Sequence, residues 1–378
     1  MSIYYFNVKL VVRWEGGGKS SVNQRVIGLD LIRISLAVLI FMFHSHIHVL
    51  KCDYGFFNGF IRMGAIAMTG FFLLSGYAIN LSSDSKDMSD IKEIKRFYTK
   101  RLISILPLYY TWALIVIVTK IVAKGIPALW EELILFPVET LGIQSVFSTL
   151  FPYSHNGGSW FISCILICYL VFPLIHLLTK HIDDNRRLML IICLSAILLY
   201  SPFVQSYFNL QGIYSNPFFR VLEFSIGVLV CQMNMKEDNK SKIILFLRKP
   251  AICILTIIAL LVGVSVAYYI GIPADFMLYN WIALPCFISL LVSLGYLEFK
   301  RLQNSKTIQY LSALSFSIFL SQIIAVWYII KYTMEYIGCE SNIVKILSSA
   351  IICFTIANLF HYCVEIPSTK YLKSKFLK

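Results

Sequence analysis

The sequence predicts an all-α polytopic membrane protein of about ten transmembrane helices, with both the N- and C-termini cytoplasmic. Three observations lead there. The 378 residues are 58% hydrophobic and 14% charged, with a mean hydropathy of +0.73, whereas soluble domains carry roughly 25% charged residues. The apolar runs are long and unbroken, which favours spanning helices over the short alternating strands of a barrel. Charge also alternates between the connecting segments. With the N-terminus inside, 25 of the 33 Lys and Arg fall in inside segments and seven on the outer side, Arg33 within the first span completing the set. Cytoplasmic loops collect such residues, so the net charge of +13 is mostly topological and needs no nucleic-acid partner.

Residues 1–27 are too polar for a cleavable signal peptide and are expected to form a cytoplasmic tail, with the glycines at 16–18 as a flexible joint. Apolar runs of spanning length follow near 29–50, 56–81, 102–123, 159–179, 188–207, 217–235, 250–270, 276–297, 308–331 and 343–365. The stretch 133–152 is interrupted by Pro137 and Glu139 and is expected to be re-entrant or interfacial. Residues 28–372 thus form the integral-membrane domain, and 373–378 a basic cytoplasmic tail. No internal repeat is visible, which weakens a transporter built on inverted repeats. Eight of the ten cysteines lie in apolar runs and none forms a CxxC pair. They are expected to be packing residues, although Cys52 and Cys339 fall in loops and could pair.

The first run reads RISLAVLIFMFHSHIH at 33–48. Ten uncharged residues, nine of them apolar, separate Arg33 from His44. At 100° per residue, eleven positions make three turns and about 20°, so the two side chains share a face about 16 Å apart along the axis. Ionisable groups inside a span usually face a cavity or a partner. The alternatives are an arginine snorkelling to headgroups and a histidine held by packing. His46 and His48 lie nearer the outer end. His44 and His48 share a face at i, i+4, but the sequence offers no third ligand, so no metal is expected.

Several segments resemble membrane acyltransferase family 3. GLDLIRISLAVLIFMFHS at 28–45 is similar to its opening helix, with an arginine, ten residues, then a histidine. FFLLSGYAI at 71–79, RFYTKRLISILPLYY at 96–110 and WFISCILICYLVFPLI at 160–175 resemble its next motifs in order. FFRVLEFSIGVLV at 218–230, SALSFSIFLSQ at 312–322 and VEIPSTKYL at 364–372 resemble the later ones. Three positions depart from the family pattern. Ser104 replaces the second arginine of the basic stretch, Gln322 replaces a late histidine, and Ile162, Ser163 and Cys164 stand where many relatives carry a carboxylate.

The resemblance implies a multi-pass enzyme of the bacterial cytoplasmic membrane, close to the branch acting on surface polysaccharides without an attached soluble domain. It would move an acyl group, acetyl in the simplest case, from cytoplasmic acyl-CoA to a hydroxyl of an extracytoplasmic or lipid-linked glycan. Arg33, Arg96, Lys100 and Arg101 would hold the donor phosphates through charge-assisted bonds. His44, whose ordinary pKa lies near neutrality, would be the general base. Asp30, Asp53 and Glu223 are the remaining carboxylates that could support it. Glu223 and Arg220, at i and i−3, are equally placed to form a structural ion pair. Ser75 and Gly76 could offer a hydroxyl or a close backbone approach, or merely pack helices. Trp160 and Tyr169 could line a sugar or acyl channel, or anchor span ends. The partners expected are the acyl-CoA, the glycan acceptor and the lipid bilayer, with a homo-oligomer as a further option. The competing class is a polytopic exporter of a glycan or small solute.

Overall fold

The computed structural model describes residues 25–147, 158–209, 212–235, 241–322 and 324–377. The glycines at 16–18 and the far end of the 133–152 stretch lie outside them. The described residues are organised as helices. In chain order these are α1 (Ile27–Ile47), the short α2 (Asn58–Arg62), α3 (Ala67–Ser83), α4 (Ile91–Lys124), α5 (Ile126–Thr140), α6 (Ser159–Lys180), α7 (Asp184–Phe208) and α8 (Pro217–Asn234). There follow α9 (Lys242–Leu247), α10 (Pro250–Tyr269), α11 (Asn280–Tyr296), α12 (Lys306–Ser321), α13 (Ile324–Tyr336), α14 (Asn342–Phe360) and α15 (Ile366–Phe376), the last two joined by a π-helical turn at His361–Glu365.

Local chemistry sets several of the starts. The Asp90 carboxylate accepts from Lys92 N at the head of α4, and Asp183 accepts from Arg186 N at the head of α7. Asn216 accepts from Phe218 N, with Pro217 as the first residue of α8. These side chains satisfy backbone N–H groups that a helix leaves open at its first turn.

Among the described residues, seven helices are long and apolar enough to cross a membrane, and the shorter apolar helix Asn280–Tyr296 joins them. Two further expected runs take other forms. The 217–235 run is α8, which carries the buried Arg220 and Glu223. The 308–331 run is divided between α12 and α13, where the chain leaves the helix at Gln322 (φ −78°, ψ 53°). No proline or glycine marks that break in the sequence.

Burial separates a core from a rim. The segment Gly64–Ser83 is 83% buried, whereas the apolar windows of α7 and α14 are each 17% buried and that of α10 is 22%. In α10, Ile254, Leu255, Ile258, Val262 and Val266 are all exposed. Exposed apolar faces this large exceed what a water-soluble surface shows and suit contact with lipid. At the centre, α3 and α8 approach backbone to backbone. A Cβ on Gly76 would sit 2.0 Å from Phe224 O, and one on Gly227 would sit 2.0 Å from Leu73 O. Small residues allow such crossings, so Gly76 is a packing residue.

Helix α5 doubles back along α4. The Tyr109 and Tyr110 hydroxyls donate to Glu139 O and Thr140 O, and Lys120 Nζ lies 2.8 Å from Glu132 Oε1. With 15 residues, α5 is too short to span about 30 Å at 1.5 Å per residue. All ten cysteines are free, including Cys52 and Cys339, so the pairing those two could have made is not formed.

Candidate functional site

Helix α1 runs unbroken from Ile27 to Ile47, so the register of Arg33 and His44 holds. Both reach the same neighbour, α12. Arg33 Nη1 donates to Ser312 Oγ at 3.3 Å, and His44 Nδ1 lies 2.8 Å from Gln322 Oε1. The partners are themselves ten residues apart, Ser312 near the middle of α12 and Gln322 just past its C-terminal end.

At the Arg33 end a cavity of about 90 Å³ opens, lined by Arg25, Val26, Leu29, Asp30, Arg33, Ser75, Ala78, Ile79, Arg101 and Tyr169. Asp30 is the hub of its rim. It takes Arg25 through two bonds of 2.5 and 2.9 Å and accepts from Ser312 Oγ at 2.6 Å, while Arg33 Nη1 stands 4.0 Å away. Arg101, from α4, is buried. Its Nη2 donates to Ser82 Oγ at 3.2 Å, and its guanidinium lies over the rings of Phe97 and Tyr169 at 5.4 and 5.8 Å. Ser75 and Tyr169 therefore belong to this cavity.

Positive charge gathers beside Arg101. Lys100 feels the charges of Arg96, Arg101 and Lys373. Lys86, in the loop between α3 and α4, is half-buried, and burial together with Arg101, Lys100 and Arg96 lowers its ammonium to about 8, against an opposing pull from Glu93. Arg96 is outermost, its side chain 57% exposed and 3.8 Å from Glu93. Sequence reasoning missed Lys86 and Lys373, since a loop lysine and a C-terminal lysine look alike wherever they fold. Ser104, standing for the family's second arginine, turns its hydroxyl back to Lys100 O.

The His44 end is different. With Gln322 Oε1 accepting, Nδ1 carries the proton and Nε2 keeps a lone pair. None of the three carboxylates considered for His44 contacts it. Asp30 belongs to the opposite end of α1, and Asp53 is exposed in the turn that follows α1, accepting from Gly55 N and Asn58 Nδ2. Glu223 is sealed against Arg220 at 2.7 Å, both side chains 0% exposed. The residue in carboxylate position is an amide from 278 positions away, a distance no local pattern spans. His46 Nδ1 is tied to Cys52 O at 2.7 Å. The His48 ring lies 5.3 Å from that of His44, and burial, then the charge of Lys51, lowers the His48 imidazole below its ordinary value. No group of three or more His, Cys, Asp and Glu that could hold a metal occurs among the described residues.

Arg220 and Glu223 form a structural pair. The guanidinium lies over the rings of Phe72, Trp160 and Tyr214 at 5.5, 5.7 and 4.8 Å. Trp160 is thus part of this aromatic cage. At the fourth-span departure, Ser163 Oγ lies 2.6 Å from Ser145 Oγ, and Cys164 Sγ donates to Ser215 O.

The model of the acyltransferase domain, acyltransferase family 3, matches residues 26–362. A curated relative, "Acyltransferase MdmB" of Streptomyces mycarofaciens, is 29% identical over 186 residues, which are 44% of this chain and 46% of the relative. The chain thus matches about half the length of that protein. No solved structure matches.

Proposed function

The chain belongs to membrane acyltransferase family 3, and from that premise we propose that it moves an acyl group, acetyl in the simplest case, from cytoplasmic acyl-CoA to a hydroxyl of a surface or lipid-linked polysaccharide. In this proposal the chain crosses a bacterial cytoplasmic membrane ten times, with both termini on the cytoplasmic side. The observation that carries it is the column along α1. A basic cavity at Arg33 and Arg101 stands at one end and a half-buried imidazole with a free Nε2 at the other, both set against α12.

The donor is a polyanion with a thin arm that ends in a thioester. Its phosphates suit Arg33 and Arg101, whose planar guanidinium groups pair with phosphate oxygens bidentately. Lys86, Lys100 and Lys373 add charge outside them, with Arg96 outermost. The arm would then run the roughly 16 Å toward His44. There Nε2 takes the proton of the acceptor hydroxyl, whose oxygen attacks the thioester carbon. The collapse expels the thiolate, which leaves with that proton. Holding base, donor and acceptor together converts an encounter of three bodies into a positioned one.

The test is acetyl-CoA turnover by the purified protein in detergent, with the cell's surface glycan fraction as acceptor. Mass analysis of that glycan from cells with and without the protein accompanies it. Acceptor-dependent release of CoA thiol and a matching acyl increment on the glycan are expected. Glycans of identical mass with no thiol release would end the proposal.

A further inference from the structure

Among the described residues, two buried donors beside one face of α1 have no hydrogen-bond partner. Gln322 is 6% exposed, and while its Oε1 holds His44, its Nε2 has no partner. Trp327 is 1% exposed and its Nε1 has none either. The Trp327 ring packs on Phe41 at 5.8 Å, and Phe41 lies three residues before His44, one turn along the same face. Both donors therefore stand beside the stretch of α1 that ends in the imidazole.

A buried N–H without an acceptor costs free energy, and native structures keep few of them. Two on one helix face, one of them on the amide that orients the base and neither met by a described residue, suit an acceptor supplied from outside the chain. Its chemistry follows from the donors. Neither an amide nor an indole is charged, so they suit an oxygen that is neutral before reaction and gains charge during it. Lone N–H groups of this kind stabilise the oxyanion of acyl transfer.

The geometry points to Gln322 Nε2 and Trp327 Nε1 as the pair that binds the acyl carbonyl oxygen, an assignment that rests on the acyl-transfer reading and on His44 as base. As the acceptor oxygen bonds to the thioester carbon, the carbonyl electrons move onto that oxygen and the two N–H groups donate to it. The electrons then return, the C–S bond breaks, and the thiolate takes the proton from His44 Nε2. Gln322 thus serves the reaction through both ends of its amide.

The experiment compares Trp327→Phe, Gln322→Met, Gln322→Glu and His44→Ala in the full chain. It measures acetyl-CoA thiol release with the surface glycan fraction, after equal detergent-extracted yield and thermal stability have been checked. Loss of one oxyanion donor costs about 10²–10³ in kcat, so Trp327→Phe, which keeps the ring, and Gln322→Met are expected to fall in kcat with donor KM little changed. Gln322→Glu keeps an acceptor for His44 Nδ1 but loses the N–H. It is expected to stay slow at its own pH optimum, with its acid limb moved up by the added carboxylate. Wild-type kcat in Trp327→Phe, or in Gln322→Glu at its optimum, overturns the assignment while an inactive His44→Ala leaves the acyl-transfer reading standing. An active His44→Ala overturns both. Should Gln322→Met fail to fold, Trp327→Phe and Gln322→Glu still decide.

Discussion

Arg33 and Arg220 both sit inside apolar helices, yet their surroundings are opposite. Arg220 uses its guanidinium fully: Nε and Nη2 donate to Tyr214 O, Nη1 to both oxygens of Glu223, and aromatic faces cover the rest. Its side chain and that of Glu223 are 0% exposed. Arg33 keeps one bond of 3.3 Å and an ion pair of 4.0 Å, and its side chain is 27% exposed to a cavity. A charge inside a membrane protein that has its partners built in is architecture, whereas Arg33 keeps guanidinium donors turned to a cavity, where the proposed donor phosphates would lie.

Substitution can break this contrast in order of effect. At the open site, His44→Ala should cost ~10²–10⁴ in acylation rate while the protein still folds. His46→Ala and His48→Ala should be much milder. Equal loss in all three would erase the special status of His44.

The sealed site should respond the other way. Glu223→Ala leaves a buried guanidinium unpaired and should cost about 3–5 kcal/mol of stability. Thermal denaturation in detergent and extracted yield measure it. Unchanged stability would mean the pair is not the architectural element described above.

Arg33→Lys keeps the charge but loses the planar fork. Donor KM should rise about tenfold, the equivalent of roughly 1.4 kcal/mol, with stability unaffected. If donor KM and turnover are unchanged in both Arg33→Ala and Arg101→Ala, the phosphate role is wrong.

The smallest effect concerns Lys86, whose ammonium is lowered to about 8. It is cationic below that pH and neutral above it, so attraction for a phosphate weakens as pH rises. Donor KM should climb a few-fold between pH about 7 and about 9. Lys86→Arg, charged throughout, should flatten that climb, which a KM series against pH will reveal.

What was legible in the sequence was geometry confined to one helix. Arg33 and His44 fall on one face because an α-helix advances 100° per residue, and α1 is straight enough for both to reach α12. The pairing of Arg220 with Glu223 was legible as an alternative for the same reason, being short-range, whereas the sequence offers small-residue packing at Gly76 without naming its partner on α8. The support of His44 was not. Gln322 comes from 278 residues away and sits at a helix break with no proline or glycine to announce it. The carboxylates weighed for that role were taken up by partners of their own. Trp160 reads as a span-end aromatic, yet Arg220 needs its π-face, a demand that appears only once α6 and α8 are packed.

At the start of α1, a Cβ on Gly28 would lie 1.9 Å from Leu294 O at the end of α11. No side chain fits there, and the helix has no room to slide inward or to roll. Arg33 and His44 are graduations on one rod, and Gly28 sets its zero mark. A slip of a single turn would carry both past their α12 partners by 5.4 Å. The contact therefore fixes where Arg33 and His44 stand against α12.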